Sequence, residues 1–327
     1  MRIAVSGSIA TDHLMVFPGR FEEQLLSECL DRVSLSFLAD RLEVREGGVG
    51  ANIAFGLGRL GLRPVLVGAA GADFADYRAR LERAGVDMES VRVSETLHTA
   101  RFVCTTDLDQ NQIATFYAGA MTEAARIDLA ETHARVGGLG LLLVGADDPE
   151  AMLRHTDMAH RLGIPVAADP SQQLARLTGE QARSLVDGAF LLFSNEYESA
   201  LLVERTGWSE QDILARVGLW IVTRGADGVI LRGADGTRVD VPAVRIDNVA
   251  DPTGVGDAFR AGFLAGWSWG LPYERAAQLG CALATVVLGS VGTQEYKLLP
   301  TELLASLEEV YGGPAAEEIA GRLVGAS

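Results

Sequence analysis

Short apolar segments alternate with helix-like segments through the chain from about Gly138 onward. Apolar runs at Leu139–Gly145, Ile164–Asp169 and Phe190–Ser194 are separated by helical patterns, the first of which begins at Pro149. This order is typical of consecutive βαβ units, whose strands lie parallel in one sheet. The alternation therefore predicts an α/β fold, with a doubly wound, mainly parallel sheet flanked by helices.

Polar side chains stand at the ends of three predicted strands. Asp169, Asn195 and Thr223 each follow an apolar run. Ligands of open α/β sheets bind in the crevice beyond the carboxyl ends of parallel strands. We therefore predict that these three residues form the floor of a binding site.

Two N-terminal regions instead alternate apolar and polar residues, as in a sheet with one exposed face. They are Arg32–Val44 and a predicted hairpin over residues 100–117. We expect them to form a small β-sheet lid built from about residues 13–46 and 98–118. The lid would belong to one unit spanning 1–327, whose remainder is the large α/β domain.

The predicted hairpin places two aromatic residues together. If Thr106 pairs with Gln112 across the loop Asp107–Asn111, Phe102 falls opposite Phe116 on the same face of the lid. A cross-strand aromatic pair is more often sheet packing than a ligand clamp. Both interpretations stay open from this pattern alone.

Charge excludes several classes of protein. The formal net charge is −16, which argues against nucleic-acid binding, because that function needs a basic face. The only lysine is Lys297. A P-loop and a protein kinase both require a lysine at the phosphates, in sequence contexts that this chain lacks. Backbone amides and arginines must therefore hold any phosphate groups.

The sequence also indicates the compartment. It contains no run of about 18 uncharged apolar residues, so we expect no membrane span. The N-terminal apolar stretch runs directly into Thr11 and Asp12, unlike a signal peptide. We expect a cytoplasmic protein in which Cys29, Cys104 and Cys281 are reduced, mostly buried thiols.

The strongest local motif is the run Asp251–Phe259, Asp-Pro-Thr-Gly-Val-Gly-Asp-Ala-Phe, which opens a helical pattern. Glycines at alternate positions let successive amides converge at a helix start, where the helix dipole adds positive potential. This arrangement predicts an anion hole. Asp257 could accept a proton from an attacking hydroxyl group, or it could simply cap the helix.

A second glycine motif, Glu46–Ala54, also precedes a helical pattern. Asn52 within it could hydrogen-bond a substrate hydroxyl, or the motif could be a tight turn. The next glycines, Gly56–Gly61, match the dinucleotide pattern G-x-G-x-x-G. They end a helical pattern and precede the predicted strand Pro64–Gly68, the reverse of the dinucleotide fingerprint, so we interpret them as a helix end.

Together the two glycine motifs resemble the signatures of the PfkB, or ribokinase-like, family of carbohydrate and nucleoside kinases. Gly47–Asn52 is similar to the first signature, and Asp251–Asp257 with Phe259–Phe263 is similar to the second. Within that family the chain most resembles the adenosine kinases of mycobacteria and related actinobacteria. That similarity covers the segments Gly7–Leu14, Ala168–Leu177 and Thr253–Gly266.

The resemblance implies a ribokinase-like fold that transfers the ATP γ-phosphoryl group to the 5′-hydroxyl of adenosine, giving AMP and ADP. A sugar kinase acting on ribose or fructose, and a non-catalytic nucleoside sensor, are the alternatives. The resemblance also implies Mg²⁺ as cofactor and a homodimer formed through the lid sheets. Activation by K⁺ is left open, because Asp251-Pro252 stands where many sugar kinases of the family have Asp-Thr.

The resemblance further assigns residues to roles, with Asp257 as the catalytic base. The anion hole would comprise the amides of Gly254, Val255 and Gly256. The nucleoside would be bound by Ser8, Asp12, Gly48 and Asn52 at the ribose and by Ser36, Phe37, Phe102, Phe116, Gln172 and Gln173 at the base. ATP would be bound by Asn195, Thr223, Arg224, Gly225, Ala226, Asp227, Gly228 and Gly256. Glu198 of the Asn-x-x-Glu motif would act on Mg²⁺ through water.

Three of these residues have simpler interpretations. Asp12 could be a turn residue, Asn195 a helix cap, and Glu198 part of a solvated helix face.

Overall fold

The structure, a computed structural model, describes residues 1–24, 32 and 34–323. Two sheets form the framework of this part of the chain. The strands are β1 (Ile3–Ser6), β2 (Ala10–Val16), β3 (Arg41–Gly47), β4 (Val65–Ala70), β5 (Val91–Val93), β6 (Ala100–Thr106), β7 (Gln112–Tyr117), β8 (Leu141–Val144), β9 (Val166–Ala168), β10 (Leu191–Asn195), β11 (Leu219–Thr223), β12 (Val229–Arg232) and β13 (Arg238–Val241).

The larger sheet has nine strands in the order β13-β12-β11-β10-β9-β8-β1-β4-β5. Its pairings are parallel except those of β12, which are antiparallel to both β11 and β13. The chain winds outward from β1 in both directions, so the strand order reverses beside β1. Such a switch point opens a crevice at the carboxyl ends of the strands.

Helices cover both faces of the larger sheet, except the first helix, whose Phe21 packs against Phe17 and Phe37 beside the lid. They are α1 (Phe21–Gln24), α2 (Val49–Arg59), α3 (Ala75–Arg83), α4 (Leu129–Arg135), α5 (Pro149–Arg161), α6 (Gly179–Val186), α7 (Glu196–Thr206), α8 (Glu210–Leu214), α9 (Val255–Ser268), α10 (Tyr273–Leu288), α11 (Pro300–Tyr311) and α12 (Gly313–Leu323). This arrangement confirms the predicted doubly wound α/β fold.

The apolar runs of the strands follow from this two-sided covering. Successive side chains of a strand point to opposite faces. In β10, Leu192 belongs to one buried cluster with Trp220, whereas Phe193 belongs to the other with Phe263. Consecutive positions of a central strand, such as Leu191–Phe193, are therefore apolar. Among the helices that the structure describes, none combines the length and apolar character needed to cross a bilayer.

The second sheet has four strands in the order β3-β2-β6-β7 and forms the predicted lid. β6 and β7 pair antiparallel, with Thr106 opposite Gln112 and Phe102 opposite Phe116. The predicted hairpin register is therefore confirmed. β2 lies parallel to β6 and sets Asp12 beside Phe102, so the three side chains share one face, which we call the inner face of the lid.

The first lid strand differs from the prediction. The pattern over Arg32–Val44 predicted a strand there, but β3 begins only at Arg41. Residues 34–39 have no regular structure. Phe37 in that segment packs against Phe17 and Phe21, with ring centroids 5.0 and 4.9 Å apart. Its apolar character therefore reflects an aromatic cluster and not a sheet face.

Two smaller sequence interpretations are confirmed. The glycines Gly56–Gly61 end α2, which leads on to β4, so they are a helix end. Cys104 and Cys281 are buried free thiols, as predicted. Cys29 lies outside the described residues.

Candidate active site

The Asp251–Phe259 motif forms the loop before α9 and its first turn. Gly254 is the N-cap of α9 and adopts φ 77° and ψ 0°, the left-handed conformation. A Cβ at this position would lie 2.8 Å from Cγ2 of Thr293, so only glycine fits. The first amides of a helix have no carbonyl partner within that helix. In α9 the Val255 amide makes a long contact of 3.5 Å with the Pro252 carbonyl. The geometry is therefore that of an anion-binding nest at a helix N-terminus.

Asp257 is the third residue of α9. Because Gly254 occupies the cap position, the interpretation of Asp257 as a helix cap is wrong. Its Oδ2 accepts a hydrogen bond of 2.8 Å from Nδ2 of Asn52. Burial raises the pKa of Asp257 to about 7, although the Asn52 hydrogen bond and the charge of Arg260 oppose the shift. A carboxyl group that titrates near neutral pH is suited to general-base catalysis.

Arg260 fixes the first turn of α9. Its Nε and Nη2 donate to the two oxygens of Asp169 at 2.7 and 2.8 Å, and its Nη1 donates to the Gly256 carbonyl at 3.2 Å. The paired side chains are 6% and 1% exposed. This buried bidentate pair therefore attaches the glycine loop to the end of β9.

Asp169 was predicted to lie in the site from its position at a strand end, whereas no role was predicted for Arg260. The available signal was the single charge within the otherwise uncharged run Ala258–Gly266. A charge buried among apolar residues needs a partner, and Asp169 at a strand end was a candidate.

A cavity of about 470 Å³ lies between the inner face of the lid and the large domain, and we call it the acceptor cavity. It brings together most of the residues predicted to bind the substrate. Those that line it are Ser8, Asp12, Gly48, Asn52, Phe102, Phe116, Gln172, Gln173, Gly254 and Asp257. It also has lining residues that sequence analysis did not single out: Ala10, Val49, Met121, Ala146, Arg176, Thr253 and Thr293.

Asp12 lies on the lid strand β2 and faces this cavity. Burial raises the pKa of Asp12 to about 6, and the charge of Arg45 partly offsets the increase. Asp12 is within a strand, so its interpretation as a turn residue is wrong. Gly48 beside it has φ 96°, and a Cβ there would lie 2.5 Å from the Ser8 carbonyl. The glycine lets the chain pass close to β1 before α2 begins.

Ser36 and Phe37 are the exceptions among the predicted substrate residues. Within the described part of the chain they do not belong to the lining of the acceptor cavity. Ser36 is exposed, and Phe37 packs in the aromatic cluster described above. The structure therefore does not bring these two residues to the acceptor cavity.

A second cavity, of about 660 Å³, lies on the other side of the glycine nest, and we call it the donor cavity. Thr223, Gly225, Ala226 and Gly228 line it, as predicted for the ATP loop. Its other walls are mainly apolar and come from residues 243–249 and from α9 and α10. Val255 and Gly256 face this cavity, whereas Gly254 and Asp257 face the acceptor cavity. The nest therefore separates the two spaces.

Arg224 and Asp227 of the predicted ATP loop have other contacts. Arg224 donates to the Asp227 carbonyl and to Asp240, each at 3.3 Å. The lining of the donor cavity, as far as the chain is described, includes neither residue. Thr223 ends β11 directly beside Asn195 at the end of β10. These two strand ends and Asp169 form the predicted polar row, but of the three only Thr223 lines one of the two cavities, so the row as a whole is not the floor of the site.

Asn195 and Glu198 form a reciprocal cap at the start of α7. Oδ1 of Asn195 accepts from the Glu198 amide, and Oε2 of Glu198 accepts from the Asn195 amide, both at 2.8 Å. The capping interpretation of Asn195 is therefore correct as a structural role. Glu198 is only 9% exposed, so its interpretation as a solvated face is wrong. Its charge contributes to raising the pKa of Asp257, so it acts on the same site.

Known proteins resemble this chain in sequence. The family described as "pfkB family carbohydrate kinase" matches residues 8–301. A nucleoside kinase of Methanothermobacter thermautotrophicus is 33% identical over 263 residues, which is 78% of this chain and 82% of that protein. A nucleoside kinase of Methanocaldococcus jannaschii is 29% identical over 250 residues, covering 76% and 80%.

Solved structures agree with these sequence relatives. The nucleoside kinase of Burkholderia thailandensis in complex with inosine superposes with a TM-score of 0.82 at 36% identity, covering 95% of this chain and 98% of its own. Its complex described as ADP-inosine gives a TM-score of 0.80 at the same identity, covering 95% and 96%. The ribokinase-like resemblance is confirmed in both sequence and fold.

A nest between two cavities, on this fold, defines an ATP-dependent phosphotransferase with a hydroxyl acceptor. The chain belongs to the pfkB family of carbohydrate kinases.

Proposed function

We propose that this enzyme is a nucleoside kinase that transfers the γ-phosphoryl group of ATP to the 5′-hydroxyl of adenosine, producing AMP and ADP. The observation that carries the proposal is the position of the glycine nest and Asp257 between the two cavities. An acceptor hydroxyl on one side and a triphosphate on the other would meet at the nest. This is the in-line arrangement that phosphoryl transfer requires.

The side chains on the inner face of the lid favour an acceptor with a flat aromatic ring. Phe102 and Phe116 are opposite each other in the sheet and line the acceptor cavity. Among the aromatic contacts of the described residues, these two rings do not stack on one another. They are therefore available to a purine, whereas a free sugar has no aromatic face to stack.

Polar groups suited to a nucleoside surround these rings. Gln173 is 7% exposed, and its Oε1 has no partner among the described residues. A buried amide oxygen without a partner favours a ligand that can donate a hydrogen bond to it. The polar edge of a purine carries such groups. Asp12 and Asn52 also line the cavity and can bind ribose hydroxyls.

We assign the chemical roles as follows. Asp257 accepts the proton of the attacking 5′-hydroxyl, and the amides of Gly254–Asp257 stabilise the charge that develops on the transferred group. Closure of the lid excludes water, which would otherwise compete as acceptor. Arg260 maintains the geometry through its contacts with Asp169 and Gly256.

The residues also fit an Mg²⁺ ion that is held mainly by ATP and water. No group of three or more acidic, histidine or cysteine side chains with metal-site geometry occurs in the described residues. Mg²⁺ does not need such a group, because it usually keeps several waters and binds substrate phosphates. The ion would neutralise phosphate charge, and Glu198 would orient one of its waters.

Glu198→Gln should raise the Mg²⁺ concentration needed for half-maximal rate several-fold, with little change in nucleoside binding. Glutamine also satisfies a capping box, so α7 should keep its cap. The measurement is the rate against Mg²⁺ at saturating ATP. Thr178→Ala, which removes the comparable cap of α6, is the control and should leave the Mg²⁺ dependence unchanged. An unchanged Mg²⁺ dependence in Glu198→Gln would limit Glu198 to its capping role.

A K⁺ ion, which the sequence leaves open, would act near the loop that contains Asp251. The Asp251 carboxylate already accepts from Arg45, from the Thr253 amide and from the Gly292 amide, at 3.2, 2.9 and 3.1 Å. These donors supply positive potential near the nest. Rates measured in potassium and in tetramethylammonium buffers will decide whether a cation adds to it.

We further propose a homodimer through the outer face of the lid. Exposed apolar side chains cluster on that face: Leu42 (57% exposed), Val44 (56%), Ile113 (43%) and Tyr117 (42%). A second copy of the same face would cover this surface. Val44→Glu should then convert the dimer to a monomer in sedimentation velocity. Leu38→Glu, at an 83% exposed site outside the sheet, is the control. A wild-type monomer would contradict the proposal.

The decisive experiment for the function is an acceptor panel. ADP release is measured with adenosine, inosine, guanosine, ribose and fructose. We expect adenosine to give the highest kcat/KM. Inosine is the second candidate, because the Burkholderia relative was solved with it. A preference for ribose or fructose would replace the proposal with a sugar kinase, and inactivity with all five would favour a nucleoside sensor.

A further inference from the structure

A buried hydrogen-bond network connects Asn52 and Thr293, which line the acceptor cavity, with Gln294 and Tyr77, which do not. Oδ1 of Asn52 accepts from Nε2 of Gln294 and from Oγ1 of Thr293, both at 2.9 Å. Gln294 is 1% exposed, Thr293 is 6% exposed and Asn52 is 8% exposed. Two protein donors therefore point at one end of this amide.

The network reaches the hinge of the lid. Nε2 of Gln294 also donates to the hydroxyl of Tyr77 at 2.5 Å, and that hydroxyl donates to the Gly47 carbonyl at 2.9 Å. Oγ1 of Thr293 lies 3.1 Å from the Glu46 carbonyl. Both carbonyls belong to the end of β3, where the chain leaves the lid for α2. The same residues that contact Asn52 thus hold the lid hinge.

These contacts fix the orientation of the Asn52 side-chain amide. An asparagine amide has an acceptor end, the oxygen, and a donor end, the NH₂ group. The Gly47 carbonyl can only accept, so the Tyr77 hydroxyl donates to it and Gln294 must present its Nε2 to Tyr77. The same Nε2 faces Asn52, so the Asn52 oxygen must face Gln294. The NH₂ group must then face Asp257, where one of its protons makes the 2.8 Å hydrogen bond to Oδ2.

We propose that Gln294, assisted by Thr293, is a positioning residue that fixes the Asn52 amide as a permanent donor to the catalytic carboxylate. The proposal rests on the function proposed for Asp257 above. Gln294 does not touch the acceptor cavity, so it acts through Asn52. If Gln294 lost its donor, the amide could rotate and present its oxygen to Asp257.

The consequence is a change in the ionisation of Asp257. Of the charged groups that act on it, Arg260 on α9 favours the ionised form, whereas Asp169 after β9 and Glu198 on α7 disfavour it. Asn52 on α2 is the uncharged donor in this set. Loss of its hydrogen bond should make the base harder to ionise, so the enzyme would need a higher pH to become active.

The test is the pH profile of kcat/KM for adenosine in Gln294→Met, a substitution of similar size without polar atoms. This parameter reports ionisations of the free enzyme. We expect the acidic limb to move to higher pH by about one unit, because a hydrogen bond to a charged group has roughly that magnitude. The rate at pH 7 should fall several-fold and recover above pH 8.5.

Gln278→Met is the matched control. Gln278 is also a buried glutamine, 4% exposed, but its partners are Glu274 and Arg275 on α10. The pH profile of kcat/KM in Gln278→Met should coincide with that of the wild-type enzyme. If Gln294→Met does not fold, Thr293→Val removes the other donor with little change of shape and should shift the limb in the same direction.

An unshifted acidic limb in the folded variant overturns the positioning role. Asp257→Asn separates this failure from failure of the proposed function. If that variant is inactive while Gln294→Met has the wild-type profile, only the positioning role is wrong. If Asp257→Asn remains active, the base itself is wrongly assigned.

Discussion

Asp257→Asn should lower kcat by roughly 10²- to 10⁴-fold, the usual contribution of a general base. Asparagine is nearly the same size, and its side-chain oxygen can still accept from Nδ2 of Asn52. The cavity and the nest should therefore stay intact while the proton acceptor is lost. The measurement is steady-state ADP release at saturating adenosine and ATP. Turnover within a few-fold of wild type would remove Asp257 from its catalytic role.

The same carboxyl group sets the expected pH dependence. Because the pKa of Asp257 is raised to about 7, wild-type kcat/KM should decrease as pH falls through 7. Below pH 6 the decrease should steepen, because Asp12, with its pKa raised to about 6, also becomes protonated. In Asp257→Asn the residual kcat/KM should not decrease as the pH falls through 7.

Stability provides an independent check on Asp257. Its pKa rises from 3.8 in the unfolded chain to about 7 in the folded enzyme, so the ionised form costs free energy in the folded state. This cost begins above pH 4, grows until pH 7 and is constant beyond it. Asp257→Asn should therefore gain unfolding free energy relative to wild type over that interval. Denaturant titrations at pH 4.5 and pH 8 measure the difference.

Phe102→Ala should raise KM for adenosine by roughly 5- to 150-fold. Each aromatic ring stacked on a base contributes about 1–3 kcal/mol in single-strand nucleic-acid sites, and 1.4 kcal/mol is about a factor of ten. Phe116→Ala should act in the same direction. Phe116 is 47% exposed, so its truncation removes little buried packing and should leave thermal stability nearly unchanged.

Ile113→Ala is the matched control for the aromatic pair. Ile113 lies on the same strand as Phe116 but on the outer face of the lid, at 43% exposure. Its substitution should not alter KM. If the phenylalanine variants melt early and keep the wild-type KM, the pair is sheet packing and the nucleoside assignment loses its support.

Much of this site was accessible from the chain alone. The register across Asp107–Asn111 depends on local alternation and loop length, and it correctly placed Phe102 opposite Phe116. The βαβ order likewise gave the crevice and its polar row. The prediction over Arg32–Val44 was wrong because alternation does not distinguish a sheet face from a cluster around Phe37.

The sequence by itself determined the periodicity of the strands, the two glycine motifs and the absence of a phosphate-binding lysine motif. These are local properties, because backbone conformation and side-chain alternation depend on neighbouring residues. Only the tertiary structure decided that Arg260 pairs with Asp169 and that Gln294 orients Asn52. Those partners are distant in sequence, and a buried polar group accepts any neighbour with suitable geometry that the fold supplies.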